Sequence, residues 1–151
     1  MRVIRRATVG AVLSAALVLP AGALAAADNY RGKTNQGRKA SARVVDGRVK
    51  LVKLVWRVPC RKKDMVFDNA TNWTDRPEGP IEQPGDGTFT DSGRTKGDIG
   101  GGERADAKLT LSGRFDGTHM VGKSTITAKI YRSGKQIDTC KGTIRFDIPR
   151  V

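Results

Sequence analysis

Residues 42–60 alternate between apolar and polar positions, as in two strands of a half-buried sheet. Asp46-Gly47, inside this stretch, is typical of a two-residue type I′ turn, because both turn positions need positive φ. A loop of this length pairs Val44 with Val49 on the inner face of the sheet. The pattern therefore predicts a β-hairpin in the first half of the chain.

The second arm of this hairpin changes parity along its length. Val49 and Leu51 are apolar at odd positions, whereas Leu54 and Trp56 are apolar at even positions. Because successive side chains of a strand point to opposite faces, one extra residue is needed to keep both sets inside. The change of parity predicts a one-residue bulge around residues 52–53.

The last third of the chain alternates most regularly. Apolar or small residues recur at every second position in three runs, residues 109–115, 120–130 and 140–148, with turn residues between the runs. Outside the first 25 residues, no window has a sustained helical period. With shorter strands near residues 30 and 66, these runs predict an all-β fold, an antiparallel β-sandwich of about seven strands.

Residues 68–106 interrupt this regularity. Asn, Asp, Pro and Gly dominate the segment, and only scattered apolar residues such as Ile81 and Phe89 occur in it. The composition predicts a long irregular region with one strand at 87–91 and a disordered glycine-rich tip at 97–103.

The N-terminus has the composition of a secretory signal peptide. Arginines are found within the first six residues, residues 9–19 are apolar, and Ala23-Leu24-Ala25 offers small residues for cleavage. We therefore expect residues 1–25 to be removed on export and residues 26–151 to form a single domain. The mature protein is expected to be extracellular or associated with the cell envelope, without stable insertion in a membrane.

The cysteine count fits an exported protein. Cys60 and Cys140 are the only two cysteines of the chain, and an even pair in an oxidising compartment predicts one disulfide. Together with one histidine, they are too few for a structural zinc site. Closing so long a loop should stabilise the fold by about 4 to 5 kcal/mol.

The chain is strongly basic, with a formal net charge of +13. A cluster of cations lies at the end of the second hairpin arm, and the disulfide would bring a further cation beside it: Arg57, Arg61, Lys62, Lys63 and Lys141. Such a patch attracts polyanions, and in this compartment we expect anionic envelope polymers such as teichoic acids, or anionic lipid headgroups. Nucleic acid is not expected, given the compartment and the few aromatic residues available to stack on bases. Alternatively, the cations are only the solvated face of a sheet, which discourages aggregation between edges.

Trp73 is a second candidate for recognition, because it lies in polar sequence. An exposed tryptophan can anchor a ligand or a partner protein. Alternatively, the ring folds down and closes an end of the sandwich.

Candidates for catalysis are few. His119, the only histidine, follows a turn and has no nucleophile motif beside it, and the carboxylates of residues 78–106 lie in the segment predicted to be irregular. No spacing typical of a calcium loop is present. We therefore expect no catalytic residues, no metal site and no cofactor.

Several short stretches along the mature chain are structural in character. They are Tyr30-Arg31-Gly32-Lys33-Thr34, Gln36-Gly37, Asp46-Gly47-Arg48-Val49, the strand into Cys60, Leu111-Ser112-Gly113-Arg114-Phe115, Gly122 and Thr139-Cys140-Lys141-Gly142-Thr143-Ile144-Arg145-Phe146. In these stretches and their order, the chain resembles a group of small, exported, uncharacterised bacterial β-sandwich proteins. The resemblance covers nearly the whole mature chain and implies secretion and an all-β fold, and it brings no active site.

The sequence thus predicts a non-enzymatic binding or structural module at the cell envelope, with a basic face as its binding surface. The expected partner is an anionic envelope polymer or another secreted protein. The alternative is a secreted protease inhibitor that presents residues 76–104 as a loop, with Arg94 or Lys96 entering a basic-specific pocket.

Overall fold

The computed structural model describes residues 26–62 and 65–151, which form eight strands in two four-stranded antiparallel sheets. Sheet A contains β1 (Ala27–Lys33), β2 (Lys39–Val45), β3 (Arg48–Pro59) and β4 (Val66–Thr74). Sheet B contains β5 (Thr88–Gly100), β6 (Glu103–Phe115), β7 (His119–Arg132) and β8 (Lys135–Pro149). Neither described range holds a helix long and apolar enough to cross a membrane. The predicted all-β sandwich is confirmed, with eight strands where the sequence pattern predicts about seven.

The inner faces of the two sheets pack together into one hydrophobic core. Alternation along the strands decides which side chains enter it, and the buried residues of β7 and β8 include Met120, Ile126, Ile130, Ile144 and Ile148. Each such side chain stabilises the fold by about 1.5 to 3 kcal/mol. The predicted inner faces of these two strands are therefore confirmed.

The bulge in β3 occurs earlier than predicted. Val44 pairs with Val49 as expected, but Arg43 pairs with Leu51, so Lys50 is the extra residue. Leu51 therefore lies on the outer face, where it is half-buried, and Val52 takes the inner position. The prediction of residues 52–53 is wrong because Leu51, although apolar, is not a core residue.

Most of residues 68–106 is regular β-structure, contrary to the prediction of an irregular region. β5 lies wholly inside the segment and β4 and β6 extend into it, so only residues 75–87 and the turn residues 101–102 lie between strands. The glycine-rich stretch 97–103, predicted to be disordered, ends the β5–β6 hairpin. Residues 100–102, all glycine, have positive φ there, a conformation that glycine adopts without steric cost.

One edge of the sandwich is closed where β8 crosses sheet A. Cys140 of β8 bridges Cys60, the residue after β3, and Phe146 of β8 bridges Thr34, the residue after β1. Arg150, which follows β8, bridges Tyr30 of β1. Glycines permit this close approach, because a Cβ on Gly32 would lie 2.8 Å from Ile148 Cγ2, and one on Gly142 would lie 2.5 Å from Val58 Cγ1. A larger residue at either position would push the two sheets apart.

The predicted disulfide between Cys60 and Cys140 is present at this edge and joins the two sheets across 80 residues of sequence. The turn after Cys60 is held to β8 a second time, by the buried carboxylate of Asp138. This carboxylate accepts hydrogen bonds from the backbone N–H groups of Arg61 at 3.2 Å and Lys62 at 3.3 Å. A covalent bond and a buried polar contact therefore fix the same corner of the fold.

Candidate binding surface

The structure divides the predicted cation patch between different faces. Arg57 lies on the outer face of sheet A, where its Nη2 is 3.0 Å from Asp68 Oδ2. The same carboxylate also binds Arg38, at 2.9 Å. Because Asp68 already balances part of this charge, Arg57 is a poor anchor for a polyanion.

Arg61 and Lys141 come together beside the disulfide. Both are exposed, and they line a shallow depression of about 380 Å³. Lys62 is exposed in the adjoining turn, and Lys63 lies outside the described residues. The predicted patch is therefore a small site at the closed edge rather than a continuous surface.

A larger array of cations covers the outer face of sheet B, which we call the basic face. Its side chains alternate with the buried ones along β5 to β8. The cations are Arg94, Lys96, Arg104, Lys108, Arg114, Lys123, Lys129, Lys141 and Arg145, and the carboxylates are Asp98, Asp106 and Asp147. All these cations are exposed, and they include Lys141 of the predicted patch.

The carboxylates lie towards the ends of the strands. Asp106 Oδ2 is 3.5 Å from Lys96 Nζ, and Asp98 is opposite Arg104, so both acids lie towards the β5–β6 turn. Asp147 lies near the end of β8. A further carboxylate, Glu82, lies at the β5 edge, where its Oε2 accepts a hydrogen bond from the Thr90 hydroxyl at 3.3 Å. Away from that edge, the middle of the basic face is its most positive part.

Two pairs of like charge lie directly opposite each other in this middle part. Arg94 is opposite Lys108, and Lys123 is opposite Arg145. Among the described residues, none of these four cations is within ion-pair distance of a carboxylate. Like charges at opposite cross-strand positions repel each other, and a bound anion would remove that repulsion.

Between the two pairs runs a line of hydroxyl side chains, which we call the hydroxyl row. It consists of Ser92, Thr110, Thr125 and Thr143, opposite one another on successive strands. The Thr110 and Thr125 hydroxyls hydrogen-bond to each other. Strands are about 4.8 Å apart and alternate residues about 6.6 Å apart, so the flanking cations lie within one side-chain length of the row.

The basic face has a depression of about 360 Å³ over Gly113 and Gly122. Its other lining residues are Thr88, Ser112, Arg114, Val121, Lys123 and Arg145. From the core side, the rings of Phe89 and Phe146 press on the floor, because a Cβ on Gly113 or Gly122 would lie 2.5 Å from Phe89 Cζ or Phe146 Cζ, respectively. Close packing beneath therefore fixes the backbone of the depression.

A separate cleft of about 740 Å³ lies between the edge strands β4 and β5. Four lining residues on the inner faces of these strands are polar: Asn69, Thr71, Asp91 and Thr95. Burial raises the pKa of Asp91, and the carboxylates of Glu82 and Asp75 raise it further. This edge is thus open and polar, in contrast to the edge closed by β8.

Trp73 lines the cleft but is only 5% exposed. It lies on β4 opposite Val52, and its Cζ3 would be 3.7 Å from a Cβ on Gly93 of β5. Its Nε1–H is buried and has no hydrogen-bond partner within the described part of the chain. The indole packs between the sheets, and its role as an anchor stays a prediction.

His119 is exposed and is the first residue of β7, directly after a turn, as expected from the sequence. Its backbone N–H donates to Asp116 Oδ1 at 2.9 Å, and Thr118 donates to the same oxygen. These hydrogen bonds hold the pKa of Asp116 well below its usual range. Across residues 26–62 and 65–151, no group of three or more His, Cys, Asp or Glu side chains is placed to hold a metal ion.

Residues 76–104, a loop in the inhibitor hypothesis, contain the whole of β5. Arg94 and Lys96 are opposite Lys108 and Asp106 of β6. Both side chains belong to the basic face, so neither lies in an extended loop.

Sequence reasoning missed the basic face because its residues become neighbours only through strand register. Its cations come from four strands that span much of the second half of the chain. The sequence does contain one signal, because Lys, Arg and Thr alternate with the buried residues along β7 and β8.

No protein-family model, curated protein or solved structure matches the chain.

Proposed function

We propose that the protein is an exported, non-enzymatic binding module that holds anionic polymers of the cell envelope on its basic face. The proposal is carried by two like-charge pairs at opposite cross-strand positions, Arg94–Lys108 and Lys123–Arg145, on the two sides of the hydroxyl row. An extended polymer lying along the row would contact cations from all four strands of sheet B.

The energetics of the proposed surface favour a polymer over a single small anion. Each exposed cation contributes little alone, because water and salt screen it. A chain of regularly spaced anions engages many cations at once and releases its bound counterions. The hydroxyl row adds hydrogen-bond donors and acceptors in the middle of the charged surface.

Export is part of the proposal and rests on two observations. The first 25 residues have the composition of a signal peptide, and the mature part contains a disulfide. Disulfides persist in oxidising compartments, and these include the bacterial envelope and the extracellular space.

Titration of the exported protein with poly(glycerol phosphate) in a calorimeter tests the proposal. If about four phosphates are engaged, affinity should fall about 50-fold between about 50 and 200 mM salt. A neutral dextran of similar length serves as the control and should not bind. Absence of poly(glycerol phosphate) binding at the lower salt concentration, or binding that ignores salt, would refute the proposal.

The inhibitor hypothesis is a separate proposal with its own test. Trypsin-like and subtilisin-like proteases are titrated with the exported protein. Stoichiometric loss of protease activity would support inhibition, whereas simple cleavage without inhibition would exclude it.

A further inference from the structure

The depression over Gly113 and Gly122 differs from the rest of the basic face, because its polar groups converge from both sides. Ser112, Lys123 and Arg145 are opposite one another on successive strands and form one wall. The other wall contains Thr88 and Arg114, which are opposite each other on β5 and β6. The two walls are two residues apart along the strands, which corresponds to a separation of about 6.6 Å.

The charge balance of this depression is positive. Within residues 26–62 and 65–151, Arg114, Lys123 and Arg145 form no ion pair. The acids nearby are Asp147, on the strand that carries Arg145, Asp86, which accepts hydrogen bonds from Thr88, and Glu82, whose Oε2 accepts from the hydroxyl of Thr90 opposite Ser112. None of these three acids lines the depression.

The types of donor indicate which anion suits the depression. A guanidinium presents a planar fork of N–H groups that can bind two oxygens of a phosphate, and an ammonium adds a point charge. The Ser112 hydroxyl can donate a further hydrogen bond. A planar carboxylate offers two oxygens and is satisfied by one fork, whereas a tetrahedral phosphate can accept from donors on two opposite walls.

We infer that the depression is a phosphate-binding site, with Arg114 and Arg145 as bidentate donors and Lys123 and Ser112 between them. The inference rests on the proposed function and deepens it, because it makes the basic face selective for phosphate-bearing polymers over carboxylate polymers of equal charge. A phosphodiester of a polymer and a phospholipid headgroup share this chemistry.

Charge-preserving substitutions separate recognition from simple attraction. The variant Arg114→Lys/Arg145→Lys keeps every charge but loses both guanidinium forks. Its affinity for poly(glycerol phosphate) should fall about 10-fold, while its affinity for polygalacturonate, a carboxylate polymer, should change less than about 2-fold. The matched control, Arg31→Lys/Arg43→Lys, alters the same residue type at exposed positions of sheet A, outside the basic face, and should leave both affinities within about 2-fold.

A small probe tests the site without any polymer. Pyrophosphate is titrated into the isotope-labelled protein, and backbone amide shifts are followed by NMR. The largest shifts should occur at Ser112, Arg114, Lys123 and Arg145, and the Arg114→Lys/Arg145→Lys variant should lose them. The affinities of the protein for phosphatidylglycerol vesicles and for poly(glycerol phosphate) are then compared, and the tighter binding identifies the source of the phosphate.

The results distinguish the two proposals. Local pyrophosphate shifts without polymer binding would refute the proposed function and leave the phosphate site standing. Polymer binding with equal affinity for both polymers, or an unchanged preference in the Arg→Lys variant, would overturn the phosphate site alone. Pyrophosphate shifts spread evenly over both sheets, or absent, would also overturn the phosphate site.

Discussion

Sheet A and sheet B share the same strand number and order but balance their charges differently. In sheet A, Asp68 binds Arg38 and Arg57 at one end of the β3–β4 pair, and Asp75 binds Lys50 at the other. These carboxylates already satisfy the cations beside them.

Sheet B leaves comparable cations opposite one another. Its pairs Arg94–Lys108 and Lys123–Arg145 flank a row of hydroxyls in the middle of a face built from longer strands. Sheet A also has a like-charge pair, Lys33–Lys39, but that pair lies at the end of β1. The place of a cation in its sheet and the carboxylates beside it, more than the number of cations, therefore decide which basic surface can bind a polyanion.

Removing the disulfide between the two sheets should lower the free energy of unfolding more than any other change considered. The variant Cys60→Ser/Cys140→Ser should lose about 4 to 5 kcal/mol of unfolding free energy, because the unfolded chain is no longer closed across 80 residues. Urea unfolding of the oxidised wild type and the variant measures the loss. An unchanged midpoint would show that the contacts around β8, and not the disulfide, hold this edge.

The inner face of sheet B should tolerate no added atom at Gly122. In Gly122→Ala the new Cβ would lie 2.5 Å from Phe146 Cζ and 2.6 Å from the Ser112 carbonyl oxygen. Overpacking of this kind should cost about 1 to 3 kcal/mol in thermal or urea unfolding. The control Gly97→Ala, where nothing lies within 4 Å of the new Cβ, should change stability by less than about 0.5 kcal/mol. Equal effects of the two substitutions would contradict the tight packing assigned to Gly122.

The charge balance of sheet A should depend on pH through Asp75. The hydrogen bond from Lys50 Nζ lowers the pKa of this largely buried carboxyl. Its stabilisation is therefore fully present above the unfolded pKa of about 3.9 and is lost as pH falls through the lower folded value. Asp75→Asn should cost about 1 to 2 kcal/mol at neutral pH. In urea unfolding, this cost should shrink as the pH is lowered below about 3.9, because protonation then removes the ion pair from the wild type. A cost that does not depend on pH would contradict the ion pair.

The weakest of these effects should follow when sheet A loses the carboxylate that neutralises two of its arginines. Asp68→Asn removes the shared partner of Arg38 and Arg57 but should change stability by less than about 1 kcal/mol, because the contact is exposed. Poly(glycerol phosphate) should then bind about 2-fold more tightly at low salt. A fall in affinity would show that Asp68 does not compete with a polyanion for these arginines.

The regular alternation of β7 and β8 made their inner faces predictable, since every second position is apolar or small and faces the core. β5 was hidden for a physical reason: its inner positions Asp91, Gly93 and Thr95 border the polar cleft instead of the core. The same holds for Asn69 and Thr71 on β4. Strands that line an open edge lack the hydrophobic period by which strands are recognised.

Of the candidate binding surface, the sequence indicated only the excess of positive charge and Lys141. Whether two cations are neighbours depends on strand register, and whether a cation is already neutralised depends on distant acids, as Arg57 and Asp68 show. Neither property follows from composition or from short motifs.

The salt dependence of poly(glycerol phosphate) binding, measured in two matched double variants, tests whether sheet B is the binding surface. Lys123→Gln/Arg145→Gln removes a like-charge pair from sheet B, and Arg43→Gln/Lys53→Gln removes the same charge from exposed positions of sheet A. The first should weaken binding at least about 10-fold and reduce the slope of log affinity against log salt by about 1 to 2, and the second should leave the slope unchanged. Equal losses in both variants would mean that the polymer responds to net charge alone and would contradict a binding surface on sheet B.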